Sequence, residues 1–346
     1  MARPTIADVA RAAGVSKSTV SRVLNGNTEY VREDTIARVR ATIEKLGYRP
    51  NAVARSLVSK RTRSAGLLIS DVGNPFYSEV IHGVEDVALA HGYDVFLCNT
   101  NYDLARGMTF VRSLADKQVD GVLIMTSSMS DELVLELAQR QVPVVVLDWQ
   151  LTATQGVVGV ITVDFGPGIT AAANHLIDLG HRRLAHVSGP RHLRTSQLRQ
   201  EAFLGAVAAR GIDPATVTLI EGNLRIDGGR QALDVLLAQA QRPTAVFAAN
   251  DLMAIGLVWA ARARGLHVPE DLSVIGLDDI QLAAEITPPL TTVALPRYEL
   301  GGLAMRMLLD LLDRAPESRP QMFCHSRVAT RLVVRQSTAA PAGAFL

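Results

Sequence analysis

The sequence predicts an α/β protein in which a small all-α unit precedes a two-lobed core built on two doubly wound parallel sheets. The first 48 residues carry apolar side chains at helical spacing. From residue 64 onward, short apolar runs alternate with helical stretches, which is typical of a parallel sheet covered on both faces. The alternation occurs in two series of similar length, so we expect two α/β lobes with a cleft between them.

Residues 5–25 have the pattern of two short helices joined by a tight turn. The apolar positions of the first helix follow helical spacing at Ile6, Val9, Ala10 and Ala13. Thr5 and Asp8 have the spacing of a capping box, Gly14 tolerates the left-handed conformation of a turn, and Ser16 can cap the second helix. A third helix over 33–46 closes a small core with Ile36, Val39, Ile43 and Leu46.

The second helix of this unit exposes only hydrogen-bonding and cationic groups. Its inner face carries Val20, Val23 and Leu24, and its outer face carries Lys17, Ser18, Ser21 and Arg22. A helical hairpin with a solvated polar face is the alternative interpretation. The turn length, the N-terminal position and the polar face together favour a helix-turn-helix whose second helix enters the DNA major groove.

The distribution of charge supports a polyanionic partner for the N-terminal part. Residues 1–63 hold 13 Lys and Arg against 5 Asp and Glu, although the net charge of the whole chain is only +1. A basic segment on an acidic body is the electrostatic footprint of nucleic-acid binding.

Composition excludes several classes of protein. The 346 residues are 48% hydrophobic, enough for two or three domains with a large core. Cys98 and Cys324 form no CxxC pair, and neither a signal peptide nor an uncharged run of membrane length is present. We expect a reduced cytoplasmic protein, nucleoid-associated when bound to DNA, without a disulfide framework, zinc finger, metal or cofactor.

The core is predicted element by element from its apolar runs. Strands are expected at 65–69, 94–97, 122–125, 144–147 and 158–163, and then at 184–187, 217–220, 245–248 and 273–276. Helices are expected at 76–91, 104–117, 131–140, 169–179, 198–209, 229–240 and 252–264, and an apolar stripe predicts another over 297–312.

Polar and aromatic side chains follow the strands of both series, where ligands of open α/β sheets bind. They are Asn74, Phe76, Tyr77, Asp148, Trp149, Asn250 and Asp278, together with Arg199 at the start of a predicted helix. Carboxylates, amides and arginine bond adjacent hydroxyls, and aromatic rings cover the apolar face of a sugar. We therefore expect a small polyhydroxylated ligand, with Asp251 and Asp279 capping helices and Trp149 either packing or touching the ligand.

Enzyme signatures are weak. Gly166-Pro167-Gly168 resembles a dinucleotide fingerprint but is better explained as the start of a helix capped by Asp164. His181 and His186 are five residues apart, which does not place them on one helix face for metal binding. The sequence predicts no enzyme activity.

The chain resembles the lac repressor family of bacterial transcription regulators. The likeness rests on DVARAAGVSKSTVSRVLN at 8–25 and PNAVARSL at 50–57, extends to about residue 335, and is greatest to the ribose and purine repressor branch. It implies a DNA-binding domain at 1–48, a hinge helix and linker at 49–63, and a periplasmic-binding-protein-like core at 64–346. The implied N-lobe spans about 64–162 and 293–324, and the C-lobe about 163–292 and 325–346, with crossings near residues 163, 292 and 325.

The resemblance also implies the DNA contacts. Leu57 matches the leucine that wedges into the minor groove, whereas the alternative is a flexible basic linker with an incidental leucine. Lys17, Ser18 and Arg22 are expected to contact base edges, and Thr19 and Ser21 to contact phosphates. The full predicted set is Thr5, Ser16, Lys17, Ser18, Thr19, Ser21, Arg22, Asn25, Asn51, Ala54, Arg55 and Leu57.

By the same resemblance, the strand-end residues above contact a small-molecule effector, and Trp149 lies close by. Two positions depart from the sugar-binding pattern: Leu224 stands where relatives often carry an aromatic residue, and Leu295 where they carry a glutamine. These departures weaken a ribose assignment.

The function implied is a repressor whose homodimer binds a palindromic double-stranded operator under control of an effector, expected to be a sugar. The C-terminal tail lacks the leucine heptads of a tetramerisation segment, which favours a dimer. An inducer and a corepressor are both compatible with the sequence. The competing class is a transport-type binding protein or enzyme on the same two-lobed fold.

Overall fold

The computed structural model describes residues 4–24, 26–49, 61–128, 130–148, 156–314 and 323–342. The chain divides into two compact units, Met1–Thr62 and Arg63–Leu346. The predicted residues Asn25, Asn51, Ala54, Arg55, Leu57 and Trp149 lie outside the described residues.

The described part of the first unit consists of three helices, α1 (Ile6–Ala13), α2 (Lys17–Leu24) and α3 (Glu33–Leu46). Its buried core consists of Val9, Ala10, Ala13, Val20, Val23 and Val39. Ile36, Ile43 and Leu46 are only partly buried against this core, so α3 closes it chiefly through Val39.

The turn chemistry of this unit matches the sequence prediction. The Asp8 amide donates to Thr5 Oγ1 at 3.4 Å and the Thr5 amide to Asp8 Oδ2 at 2.9 Å, which completes the capping box. Gly14 ends α1 in the left-handed region, with φ 65°. The Thr19 amide donates to Ser16 Oγ at 3.1 Å, so Ser16 satisfies a free amide in the first turn of α2.

The first sheet of the larger unit defines the N-lobe. It has the order β11-β5-β4-β3-β1-β2, and every neighbouring pair in it is parallel. Its strands are β1 (Ser64–Ile69), β2 (Asp94–Asn99), β3 (Gly121–Met125), β4 (Val144–Leu147), β5 (Val158–Asp164) and β11 (Phe323–Ala329). Its helices are α4 (Phe76–Ala90), α5 (Leu104–Asp116), α6 (Asp131–Gln139) and α12 (Arg297–Asp313).

The second sheet defines the C-lobe, with the order β12-β10-β9-β8-β6-β7. Its strands are β6 (Leu184–Ser188), β7 (Thr218–Glu221), β8 (Ala245–Ala248), β9 (Ser273–Asp278), β10 (Thr291–Ala294) and β12 (Arg331–Val333), and only the β10–β12 pair is antiparallel. Its helices are α7 (Phe165–Asp178), α8 (Arg194–Ala209), α9 (Ile226–Leu237), α10 (Asp251–Ala263) and the short α11 (Gln281–Glu285).

The chain passes between the sheets after β5, after β10 and between β11 and β12. The third passage lies at Thr330, later than the expected position near residue 325. The reason is that β11 stays paired with β5 as far as Ala329, opposite Asp164. Residues 325–329 therefore belong to the N-lobe, which corrects the expected C-lobe segment that starts at 325.

Three helices begin earlier than expected, among them the helix predicted at 229–240, which starts at Ile226. The predicted helix at 169–179 starts at Phe165, because Asp164 accepts a hydrogen bond from the Gly166 amide at 3.2 Å and caps it as anticipated. The predicted helix at 198–209 starts at Arg194. Arg199 consequently lies in the second turn of α8 and does not open the helix.

The close packing of α12 on α4 requires a glycine in α4. A Cβ atom added to Gly83 of α4 would stand 2.0 Å from the carbonyl oxygen of Tyr298. No side chain fits at that distance, so glycine allows the two helix backbones to touch. The apolar stripe of α12 is buried as predicted at Leu300, Ala304, Met307, Leu308 and Leu311, whereas Leu303 is partly buried.

The C-terminal segment is bound across the C-lobe sheet. The Val274 amide donates to the Ser337 carbonyl at 2.8 Å, and the Thr291 amide donates to Ser337 Oγ at 2.8 Å. Ser337 is fully buried. The last described residues therefore contribute to the C-lobe core.

Candidate functional site

The first candidate site is the outer face of α2. Lys17, Ser18 and Arg22 are exposed, while Thr19 and Ser21 are half-buried. Among the described residues, the side chains of Lys17 and Arg22 have neither an ion-pair nor a hydrogen-bond partner. Two cations without internal partners on one short helix suit an external anion or the acceptor edge of a base.

Hydroxyl groups cluster at the N-terminus of the same helix. Ser16 Oγ lies 2.7 Å from Ser18 Oγ and 2.8 Å from Thr19 Oγ1. This network fixes the side chains at the positive end of the helix, where anions are favoured. It also engages Ser18, so its hydroxyl has less freedom to reach a base than that of an unpaired serine.

The second candidate site is a cavity between the carboxyl ends of the two sheets. Seven residues predicted from the sequence line it: Asn74, Phe76, Tyr77, Asp148, Arg199, Asn250 and Asp278. Leu224 and Leu295, the two departures from the sugar-binding pattern, line it as well. The structure thus brings together residues from loops that are more than 200 positions apart in the chain.

Arg199 is the cationic group of the cavity. Its Nη1 donates to the Ala249 carbonyl at 2.7 Å, its Nη2 lies 4.0 Å from Asp278 Oδ1, and its guanidinium stacks 4.8 Å above the Phe165 ring. The side chain is only 13% exposed, and its buried Nε–H has no partner. A buried donor left unsatisfied costs about 1–3 kcal/mol, which a ligand oxygen would recover.

Asp278 is the carboxylate opposite Arg199, at the end of β9. Burial raises the pKa of its carboxyl to about 8, and the Arg199 guanidinium opposes that shift. The buried neighbour Asp251 has a pKa raised to about 6 for the same reason, although it accepts hydrogen bonds from the Ile280 amide and the Thr292 hydroxyl. A ligand hydroxyl or cation at Asp278 would favour its charged form.

Asp148 supplies a second carboxylate, from the end of β4 in the N-lobe. It accepts a hydrogen bond from the Val163 amide at 2.5 Å, and burial raises the pKa of its carboxyl to about 6. Its φ of 53° lies in the left-handed region. Strained backbone of this kind is common where a side chain must be aimed at a ligand.

Aromatic rings provide apolar walls. Phe76 and Tyr77 pack edge to face with ring centres 5.0 Å apart, and Tyr77 donates its hydroxyl to Ser70 Oγ at 2.9 Å. Tyr102 and Phe165 add two further rings. Faces of this type cover the C–H surface of a sugar or the plane of a base.

Three sequence assignments change in detail. Asn250, not Asp251, caps α10, because Asn250 Oδ1 accepts from the Met253 amide at 3.0 Å. Asn250 Nδ2 donates to the Leu224 carbonyl at 2.8 Å, so this amide group is already engaged within the protein. Asp279 caps no helix and instead pairs with Arg335 at 2.6 Å.

Several lining residues were missed by the sequence argument. Tyr102 follows β2, and Thr126 and Ser127 follow β3, so the same strand-end rule would have found them. Phe165 and Thr195 stand at the starts of C-lobe helices, and only the arrangement of the lobes brings them to the cavity.

His181 and His186 are both buried away from the cavity lining. His186 packs in a cluster with Phe203 and Phe247, with ring centres 5.0–5.5 Å apart, and burial lowers the pKa of its imidazole to about 4. Over the described ranges, no group of three or more His, Cys, Asp or Glu is arranged to hold a metal ion. In the same ranges no helix is both long and apolar enough to cross a membrane.

Comparison with known proteins places both sites in context. Residues 5–51 match the model of bacterial regulatory proteins, lacI family, and residues 173–338 match the model of a periplasmic binding protein-like domain. The HTH-type transcriptional repressor PurR of Edwardsiella ictaluri is 39% identical over 94% of this chain and 96% of its own.

Two solved structures are similar over most of the molecule. The lac repressor dimer bound to operator and the anti-inducer ONPF matches with a TM-score of 0.85 at 28% identity, over 98% of this chain and 100% of that one. A LacI family transcriptional regulator from Enterococcus faecium with bound ribose matches with a TM-score of 0.72 at 31% identity, over 80% of this chain and 99% of that one.

Proposed function

Since the chain belongs to the lacI family of bacterial regulatory proteins, we propose that its cleft binds a sugar that controls the docking of a homodimer on a palindromic DNA operator. The protein is an effector-controlled, DNA-binding transcriptional regulator.

The observation that carries the effector proposal is the unsatisfied Nε–H of Arg199 beside two buried carboxylates. A sugar offers what this arrangement needs, because each hydroxyl both accepts and donates a hydrogen bond. Its ring oxygen or a hydroxyl accepts from Arg199, and other hydroxyls donate to Asp148 and Asp278. The rings of Phe76 and Phe165 face its C–H surface.

The two leucines narrow the class of sugar. Leu224 is 6% exposed and Leu295 is 5% exposed, and both line the cavity. An apolar wall leaves a facing hydroxyl without a partner, which is unfavourable. The preferred effector therefore carries fewer hydroxyl groups on this side than ribose, as in a deoxy sugar.

On the DNA side, Arg22 suits a bidentate contact with a guanine and Lys17 a neighbouring acceptor or phosphate. Thr5, Ser16, Thr19 and Ser21 are assigned to phosphates. Asn25, Asn51, Ala54, Arg55 and Leu57, from outside the described residues, complete the proposed interface by resemblance, with Leu57 as the minor-groove wedge.

The effector controls DNA binding because its affinity differs between two arrangements of the core. An effector that binds one arrangement more tightly shifts the population toward it, and with it the fraction of dimers competent to dock. The sign of control follows from which arrangement docks on DNA. Comparing operator affinity with and without the effector determines whether it is an inducer or a corepressor.

The testing experiment is thermal unfolding of the full chain against D-ribose, 2-deoxy-D-ribose, L-rhamnose, D-xylose, hexoses and purine bases. A ligand at a hundred times its Kd adds about 2.7 kcal/mol, enough to move Tm by a few degrees. We expect a shift with a deoxy sugar that exceeds the shift with ribose. A shift with purine bases and none with any sugar would contradict the proposal.

A further inference from the structure

A single arginine connects the two lobes outside the cavity lining. Arg225, at the start of α9 in the C-lobe, places Nη2 3.0 Å from Asp71 Oδ2 and 2.6 Å from Asn101 Oδ1, both in the N-lobe. Its Nε also donates to Asp71 Oδ2 at 3.2 Å, and its guanidinium stands 5.9 Å above the ring of Tyr102. One side chain thus makes three hydrogen bonds and one ring contact across the interlobe gap.

The loop that carries Arg225 is held in place from within the C-lobe. The Arg225 amide donates to Asn223 Oδ1 at 3.0 Å, and the carbonyl of the preceding residue, Leu224, accepts from Asn250 Nδ2. Leu224 has a φ of 62°, an unusual conformation for a leucine. Because Leu224 keeps this left-handed backbone conformation only when the surrounding contacts hold it there, the loop is conformationally constrained.

The receiving side is equally constrained. Asp71 is 17% exposed, and its other oxygen accepts from the Gly73 amide at 2.9 Å. Asn101 and Tyr102 both have positive φ values, 54° and 60°. The acceptors are therefore fixed before Arg225 reaches them, which lowers the entropic cost of the contact.

We propose that Arg225 is a positioning residue that clasps the lobes together, and that through Tyr102 and Leu224 it sets how tightly the cavity closes around its ligand. Tyr102 and Leu224 line the cavity, whereas Arg225 and Asp71 do not. The clasp stabilises the closed arrangement of the lobes. A ligand therefore need not supply that part of the free energy of closure. The Arg225 side chain is 46% exposed and its ion pair with Asp71 is therefore partly open to solvent, so the strength of the clasp falls as salt screens the pair.

A thiol placed inside the cavity measures opening without any ligand. Thr126 lines the cavity from the N-lobe and is 3% exposed, and Thr126→Cys places a thiol of similar size there. The full chain carries this change with Cys98 and Cys324 replaced by alanine, and the rate of reaction with a soluble aromatic disulfide reports access. A two-lobed chain that opens more often reacts proportionally faster.

Arg225→Ala is expected to raise the rate of thiol reaction about fivefold, because it removes a partly exposed charged network that holds the lobes together. Arg225→Lys keeps the charge and should restore part of the protection. The double variant Asp71→Arg with Arg225→Asp should restore more than either single change alone. Increasing salt should accelerate the reaction of the parent chain more than that of Arg225→Ala.

The matched control is Arg191→Ala. Arg191 pairs with Glu221 at 3.2 Å, and both residues belong to the C-lobe. Its removal should leave the thiol rate unchanged. An unchanged rate in Arg225→Ala, or an equal increase in Arg191→Ala, would overturn the clasp, and neither result depends on which effector the protein binds.

Discussion

The α2 surface and the cleft both use arginine, but in opposite surroundings. Arg22 is exposed and, within the described residues, has no internal partner, whereas Arg199 is 13% exposed beside two buried carboxylates. An exposed cation gains binding energy by displacing counterions, so its contribution depends on salt. For a buried cation, the cost of desolvation opposes the attraction to its partners, and protonation of the neighbouring carboxylates weakens that attraction. Its contribution to binding therefore depends on geometry and pH. The two proposed recognition sites of the chain are thus expected to respond to different variables.

The largest effect is expected when the buried cation, Arg199, is replaced by an uncharged residue. Arg199→Met should weaken effector binding by about 3 kcal/mol, roughly 100-fold, because it removes the buried Nε–H and the positive charge proposed to bind a ligand oxygen. The measurement is the ligand-dependent shift in Tm of the full chain. Arg210→Met, on an exposed ion pair at the end of α8, should leave the shift intact. A normal shift in Arg199→Met would contradict the assigned ligand contact.

Removing the exposed cation should produce a smaller and salt-dependent loss. Arg22→Ala should cost about 1–3 kcal/mol of operator affinity and relax preference at one base pair. Fluorescence anisotropy at several salt concentrations measures both quantities. Arg40→Ala, on the exposed face of α3, is the matched control and should retain base preference. Equal base preference in parent and Arg22→Ala would remove Arg22 from the recognition surface.

The cleft should also show a pH dependence that the α2 surface lacks. The pKa of Asp278 is raised from 3.8 to about 8 by burial, so between these values the folded chain holds a proton that the unfolded chain has lost. The contribution of this carboxyl to the stability of the ligand-free protein is therefore greatest at the lower end and falls as pH rises toward 8, by at most about 1.4 kcal/mol per pH unit.

Comparison of variants separates this contribution from those of other groups. Asp251 is buried beside Asp278 and its pKa is also raised, so the two carboxyls titrate as a pair, whereas burial lowers the pKa of the His175, His181 and His186 imidazoles and gives an opposite dependence that all variants share. Denaturant unfolding of Asp278→Asn should lose the slope, and Asp148→Asn should keep it. A slope that persists in Asp278→Asn would assign the effect to another group.

The smallest expected effects come from two glycines that test backbone conformation in each unit. Gly14 has a φ of 65°, so Gly14→Ala should destabilise the N-terminal unit by about 1 kcal/mol even though no atom lies within 4 Å of the new Cβ. Gly205, inside α8, has equally open surroundings and an ordinary φ. Gly205→Ala should instead stabilise the core by roughly 0.5–1 kcal/mol. Chemical denaturation followed by circular dichroism distinguishes the two signs.

The fold class was predictable because strong local patterns specify most elements. The capping box at Thr5, the turn at Gly14 and the apolar runs of the inner strands each carry their own signal. The last three strands, β10, β11 and β12, do not, because polar residues such as Thr291, His325 and Arg331 interrupt their apolar patterns. Their pairing is decided by neighbours far along the chain, so periodicity could not predict them.

Most residues of the candidate site were predictable from the sequence, but the hydrogen bonds that they form were not. The strand-end rule identifies Asn74, Asp148 and Asp278, because that rule concerns sheet geometry alone. It cannot show that Asn250 is already bonded to the Leu224 carbonyl or that Arg225 reaches Asp71. Such contacts depend on the relative position of two loops, which single residues do not encode.

The arrangement of the last strands bears on how the protein is made. β11 completes the N-lobe sheet beside β5, while β12 and Ser337 complete the C-lobe. A ribosome releases residues in order, so the three N-terminal helices emerge early, and both lobes wait for the final segment before either sheet is whole. A product terminated shortly before β11 would hold the N-terminal helices attached to two unfinished sheets, with no complete core through which a ligand could act.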